Sequence, residues 1–207
     1  MYEKNQQYLK MMQDIYDVSH RLGIKTYIWG GFAVDILYGG LTREHGDLDG
    51  FTENLLENRV QLTEQYEALG YKVSYLEEFW MLCIEKGDVH AAFNSVKNIG
   101  GIAHWYHIGP QGTMFFPYEW LDSKARLFYN TPVYTCGLNF IYLLKSNVRL
   151  GHAEWQPREK DNADITILEN LLIANETDKN EIKKRVWSFN PFWYAKGYEA
   201  YFYPIFI

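Results

Sequence analysis

The most constraining feature of the chain is the run from Trp29 to Asp49: an apolar end, two glycines, a helical stretch, a second Gly-Gly break, then Asp47-Leu48-Asp49. Trp29-Gly30-Gly31-Phe32-Ala33 reads as strand, turn and helix start. There the missing Cβ atoms let the backbone approach a ligand, and helix N-terminal amides attract phosphate. A plain tight turn reads the same way. Asp47 and Asp49 fall in a predicted strand, where side chains at i and i+2 share one face, so both carboxylates point one way and Leu48 goes to the core. Adjacent carboxylates raise each other's pKa unless a cation lies between them, and oxygen ligands with places left for water and phosphate suit Mg²⁺. The competing reading is a solvated acidic strand end.

The rest of the chain supplies a frame for this unit. Residues 4–21 carry Tyr8, Met11, Met12, Ile15, Tyr16 and Val18 near the 3.6 period of an amphipathic helix, with Gly23 as its stop. Tyr27 to Trp29 form a buried strand, a helix runs from about Phe32 to Tyr38, Leu48 and Phe51 flank a strand, and a helix over 53–69 ends at Gly70. Three β-rich runs follow at 71–77, 79–85 and 88–94, then short apolar runs between Gly and Pro over 100–134, which predict further strands and turns. Spacing turns helical over 135–147 and 158–175, with Ile165, Leu168, Leu171 and Leu172 on one face and Lys160, Asp161 and Glu169 elsewhere. The division is an α/β N-terminal half, residues 1–132, and a mainly helical, aromatic-rich C-terminal part, residues 133–207.

Composition narrows the partners. Twenty Lys+Arg against 26 Asp+Glu give a net charge of -6, which disfavours a broad nucleic-acid surface and suits a small-molecule acceptor. Cys83 and Cys136 stand among apolar residues and read as reduced thiols. No long uncharged apolar run and no basic-then-apolar N-terminus are present, so the expectation is a cytoplasmic protein without a membrane span. Aromatic residues crowd the end of the chain (Trp187, Phe189, Phe192, Trp193, Tyr194, Tyr198), for a core, a homodimer contact or stacking on a ligand. His104 and His107 have an H-x-x-H look but lack the Glu and helix context of a zinc hydrolase.

The segment GGFAVDILYGGLTREHGDLD, with its GG, an Asp four residues on, TRE and His before Asp-x-Asp, resembles the signature of the antibiotic nucleotidyltransferases of the DNA polymerase β superfamily. The similarity is to lincosamide nucleotidyltransferases and aminoglycoside 2''-adenylyltransferases. It is close over about residues 26–50, looser to 94, and only a matter of pattern beyond. It implies an α/β (α+β) fold, a nucleotidyltransferase-type mixed sheet flanked by helices with a mainly helical C-terminal region. It also implies transfer of a nucleoside monophosphate, AMP foremost, from an NTP, foremost ATP, to a hydroxyl of a small acceptor, with release of pyrophosphate and two Mg²⁺ ions.

On that resemblance Asp47 and Asp49 are the metal ligands and catalytic carboxylates, and a third carboxylate is expected on a later strand facing them. Asp88 in Gly87-Asp88-Val89-His90 matches it as general base; a turn aspartate or a third ligand without base function are the alternatives. Gly30 and Gly31 receive phosphate through backbone amides. Arg43 pairs with the triphosphate or forms a salt bridge with Asp35 or Glu44. His45 is placed with the nucleotide or is a structural imidazole, Asp35 anchors the Thr42-Arg43 loop, and His90 is left open. Arg158, Glu159, Lys160, Asp161 and Asp164 read either as a basic-acidic helix opening or as a solvated helix face, the second favoured. Gly50 stands where the family keeps an apolar residue, so a bulge is expected just past the pair. Rival functions are a nucleotidyltransferase acting on protein or RNA, of toxin-antitoxin type, and a non-catalytic nucleotide-binding domain.

Overall fold

The computed structural model describes residues 3–77, 80–106, 113–146 and 158–189. The chain begins with α1 (Glu3–Leu22), whose apolar stripe of Tyr8, Met11, Met12, Ile15 and Val18 is buried. Gly23, at φ +66, closes it by donating to the His20 carbonyl, a left-handed stop that a side chain resists. Then come β1 (Thr26–Trp29), α2 (Gly31–Tyr38), β2 (Leu48–Glu53), α3 (Leu55–Ala68), β3 (Lys72–Leu76), β4 (Met81–Lys86) and β5 (Val89–Ile99). The remainder is β6 (Ile102–Tyr106), β7 (Thr113–Pro117), a 3-10 turn (Tyr118–Trp120), β8 (Arg126–Phe128), β9 (Thr131–Thr135), α4 (Leu138–Ser146), α5 (Glu159–Ala174), α6 (Lys179–Lys183) and β10 (Trp187–Phe189).

The strands form one mixed sheet of ten, in the order β10-β7-β6-β5-β2-β1-β9-β8, with β4 on β5 and β3 on β4. At its centre β1 runs antiparallel to β2, which runs parallel to β5, so Asp49 lies level with Trp29 on one side and Ala92 on the other. Alternation along β2 sends Leu48 into the core under α1 and α3. Phe51 goes to the opposite core, which α4, α5 and α6 cover. Asp49 shares the Phe51 face by the same two-residue period. The site therefore opens toward the helices of the C-terminal part.

Two expectations change here. The register runs through Gly50 without a bulge, Ile28 opposite Gly50 and Gly50 opposite Phe93. A Cβ at Gly50 would lie 2.8 Å from Phe93 Cδ1 and 3.0 Å from the Tyr27 carbonyl oxygen, so close packing of the Phe93 ring accounts for the glycine. The expected boundary at residue 132 falls inside β9, which pairs in parallel with β1, while β10 pairs with β7, so the C-terminal part contributes strands to the same sheet. Both cysteines are free thiols, Cys136 buried and Cys83 half-buried. No described helix is long and apolar enough to cross a membrane. His107 and the aromatic residues from Phe192 onward lie outside the described residues, as do the side chains of Trp187 and Phe189.

Candidate active site

The site is assembled where β1 gives way to α2. Gly30 adopts φ 76 and ψ -148, a conformation for glycine, and α2 starts on it with no side-chain cap, leaving its first amides uncommitted. Both glycines are required by close approach as well. A Cβ at Gly30 would lie 2.8 Å from Asp49 Oδ2, and one at Gly31 2.3 Å from Arg43 Nη2 and 2.8 Å from His45 Nδ1. The glycines thus bring the second aspartate against the helix N-terminus, where the aligned peptide dipoles favour negative charge.

Asp47 is exposed and Asp49 half-buried, with Leu48 between them fully buried, as the two-residue period requires. Burial, then the neighbouring Asp47 charge, push the Asp49 carboxyl up to about 7, against the opposing pull of the Lys145 ammonium. Among the described residues no hydrogen-bond donor engages either carboxylate, so their oxygens are free to bind a hard cation. No described group of three or more His, Cys, Asp and Glu is gathered closely enough to hold a metal. Asp88 lies exposed in the two-residue turn between Lys86 and Val89, at the end of β5 that neighbours Asp47; the residue level with Asp49 is Ala92. With a rise of about 3.3 Å per residue, Asp88 is about 13 Å along β5 from that level, nearer to Asp47 than to Asp49. His90, next to it in β5, is exposed.

The loop before the pair is held by a buried polar chain. Asp35 Oδ1 accepts from the Thr42 amide at 3.2 Å and its hydroxyl at 2.5 Å, so Asp35 anchors this loop. Its other oxygen lies 2.6 Å from His45 Nε2, and His45 Nδ1 lies 3.0 Å from Arg43 Nη1. A guanidinium can only donate, so Nδ1 accepts and the proton sits on Nε2, facing Asp35: His45 is the neutral tautomer. His45 is 2% exposed and stacks on Phe32 with centroids 3.9 Å apart. Both ring nitrogens are committed, which corrects its placement with the nucleotide; the imidazole orients Arg43. From α1, fully buried Asn5 donates to the Arg43 carbonyl at 2.8 Å and accepts from the His45 amide at 3.1 Å, and Tyr8 donates to the Gly46 carbonyl at 2.6 Å.

Arg43 forms its ion pair with neither Asp35 nor Glu44 but with Asp164 of α5, Nη2 to Oδ2 at 3.2 Å. Its Nη1 also donates to the Glu44 carbonyl at 3.3 Å, while Nε is buried without a partner among the described residues. The α5 opening is no solvated face at Asp161 and Asp164, each 2% exposed. They continue the buried stripe of Leu168 and Leu172 at i, i+3, i+7 and i+11. Asp161 accepts from Arg158 Nε at 2.7 Å and from the Arg158 amide at 3.1 Å. Lys145, at the end of α4, lies 2.7 Å from Asp164 Oδ2 and 3.5 Å from Asp161 Oδ1. Burial alone would raise Asp161, but the Arg158 hydrogen bonds and the Lys145 charge more than reverse it and bring it down to about 2. An open depression of about 350 Å³ lined by Trp120, Asp122, Arg126 and Asn139 contains none of these groups.

Sequence reasoning missed Lys145, Asn5 and Tyr8 as site-building residues. Asn5 had a usable signal, since it stands three residues before Tyr8 on the apolar stripe of α1. Lys145 had none, because only the meeting of α4 with α5 gives it partners.

Residues 11–86 match the family model described as aminoglycoside-2''-adenylyltransferase, a stretch that contains Gly30, Gly31, Arg43, Asp47 and Asp49 and stops before Asp88. A search of curated proteins finds no match. Among solved structures, the antibiotic-resistance factor ANT(2'')-Ia in solution is similar at 18% identity and TM-score 0.62, over 83% of this chain and 87% of that one. The lincosamide antibiotic adenylyltransferase LnuA, bound to lincomycin, is similar at 19% identity and TM-score 0.60, over 83% of this chain and 98% of that one. ANT(2'')-Ia with adenylyl-2''-tobramycin gives 19% identity and TM-score 0.59, over 82% and 92% of the two chains. The chain has a nucleotidyltransferase-type fold and resembles these two antibiotic-modifying proteins in architecture.

Proposed function

We propose that the protein transfers a nucleoside monophosphate, AMP in the first instance, from an NTP to a hydroxyl of a small-molecule acceptor. The observation that carries this reading is the pairing of Asp47 with Asp49: two aspartates on one strand face, free of donors among the described residues, beside an uncapped helix N-terminus. A fold has no use for such repulsion unless a cation relieves it. Two structures of like architecture hold lincomycin and adenylyl-2''-tobramycin, which supports a small-molecule acceptor here.

In this reading Asp47 and Asp49 hold Mg²⁺, whose free, hard oxygen donors suit that ion. When bound, the metal supplies positive charge for the triphosphate and for the acceptor oxygen. The amides opening α2 at Gly31 and Phe32 receive phosphate oxygens at a helix start that no described side chain caps. The acceptor oxygen bonds to the α-phosphorus as the bond from that phosphorus to the bridging oxygen breaks. Pyrophosphate leaves with the electron pair. The hydroxyl proton passes toward Asp88, the exposed carboxylate at the Asp47 end of β5, through intervening water. Arg43 adds charge at the loop that Asp35, His45 and Asn5 hold still.

The test is the thermal midpoint of the protein with each NTP, with and without magnesium, beside the Asp47→Asn/Asp49→Asn variant. At about 100 times the dissociation constant, binding stabilises by about 2.7 kcal/mol. A magnesium-dependent rise that the variant lacks is expected, followed by pyrophosphate release with lincosamide or aminoglycoside acceptors. No rise with any nucleotide sinks the reading.

A further inference from the structure

We infer that Lys145 is a polyphosphate-binding residue of this site, presented to the β- and γ-phosphates and to the leaving pyrophosphate by the buried carboxylates Asp161 and Asp164. The inference rests on the nucleotidyl-transfer reading and names a residue that neither the signature nor the matched segment contains.

The charges around α5 do not balance. Asp161 is already neutralised by Arg158, through Nε at 2.7 Å and Nη2 at 3.2 Å, and Asp164 by Arg43 at 3.2 Å. Lys145 is a third cation on two carboxylates, and its side chain is only 14% exposed. Withdrawing an ammonium from water is costly, and here it is not needed to balance either aspartate. The surplus charge is aimed: the Lys145 ammonium acts on Asp49, and Arg158 feels Asp47. Once a divalent cation offsets Asp47 and Asp49, three cations against two carboxylates leave one positive charge in excess beside the metal ligands. A polyanion is the ligand that uses it.

Geometry and residue type agree. Asp164 Oδ2 holds both Arg43 from the motif loop and Lys145 from α4, tying the sheet side of the cleft to its helical side through one oxygen. An ammonium has three donors on a compact charge, so Lys145 can keep its bond to Asp164 and still offer hydrogens to phosphate. Asp161 and Asp164 are then positioning residues, since they reach the substrate only through the cations they hold.

The experiment measures binding of Mg-ATP, Mg-pyrophosphate and AMP by calorimetry to the wild type, Lys145→Met, Lys145→Arg and the double variant Lys145→Met/Asp164→Asn. The expected result is that Lys145→Met weakens Mg-ATP and Mg-pyrophosphate about tenfold or more, the scale of a charged hydrogen bond, and leaves AMP unchanged. Lys145→Arg restores most of the loss. The double variant removes one cation and one carboxylate together, so it keeps the local charge balance if the single variant folds poorly, and it shows the same phosphate-selective loss. Wild-type binding of Mg-pyrophosphate retained within about twofold by Lys145→Met or by the double variant overturns the inference and leaves the transferase reading standing. Failure of the wild type itself to bind either phosphate ligand with magnesium overturns both.

Discussion

Asp47 and Asp49 on β2 and Asp161 and Asp164 on α5 are the same chemical group, placed as a pair on two elements that meet across one cleft, and the fold handles them in opposite ways. The α5 pair is buried and fully partnered, with Arg158, Lys145 and Arg43 supplying more charge than it carries. The β2 pair is more open, has no donor among the described residues, and Asp49 is pushed up to about 7 where Asp161 is brought down to about 2. Burial raises both carboxylates, and only at Asp161 do the Arg158 hydrogen bonds and the Lys145 charge more than reverse it. Partners decide, and the pair left without them is the one equipped to take a ligand.

The comparison breaks most visibly in activity. Asp49→Asn should lower nucleotidyl transfer by about 10²- to 10³-fold or more, the scale of losing one preorganised charged group, while the thermal midpoint holds or rises because a repulsion is removed. Unchanged turnover would put Asp49 outside the chemistry. Asp164→Ala should do the opposite to stability. It strands Arg43 and Lys145 in a buried place and should cost about 3–5 kcal/mol in denaturant unfolding, whereas a loss below about 1 kcal/mol would mean that water already serves these cations.

The two pairs should also separate by pH. Asp161 has a folded pKa below its ordinary 3.8, so its contribution is present above about pH 4 and disappears as pH falls toward about 2, a loss of about 2 kcal/mol. Asp49 has a folded pKa above 3.8, so the fold prefers it protonated, and stability declines as pH rises from about 4 to about 7. Magnesium should flatten the second limb and leave the first alone, which chemical denaturation across pH with and without the ion will read. As the smallest effect, Lys72→Ala removes an exposed partner of Glu85 and should change stability by no more than about 0.5 kcal/mol, which calibrates the buried carboxylates against a surface one.

Much of this was readable in advance. The strand, Gly-Gly, helix, strand unit and the burial of Leu48 follow from local periods, and the structure has them at 26–29, 31–38 and 48–53. The resemblance likewise implied the loop anchor at Asp35 that is observed. What misled was local as well. Asp161 and Asp164 looked like surface charge because i,i+3 acidic residues at a helix start normally are, yet they occupy the buried stripe that Leu168 and Leu172 continue. His45 stands two residues before Asp47, and its neighbourhood in sequence left phosphate contact and a structural imidazole both open; the ring turns inward to Asp35.

By itself the sequence determined the order of elements and the common face of Asp47 and Asp49, since each depends on backbone periodicity; the close approaches that require glycine at 30 and 31 come from Asp49, Arg43 and His45, more than ten residues on in the chain. Only the tertiary structure decided which carboxylates are neutralised. The partners of Asp164 are 121 and 19 residues away in the chain, at Arg43 and Lys145. Electrostatic pairing depends on distance in space and on exclusion of water, and neither is written into the spacing of residues along the chain.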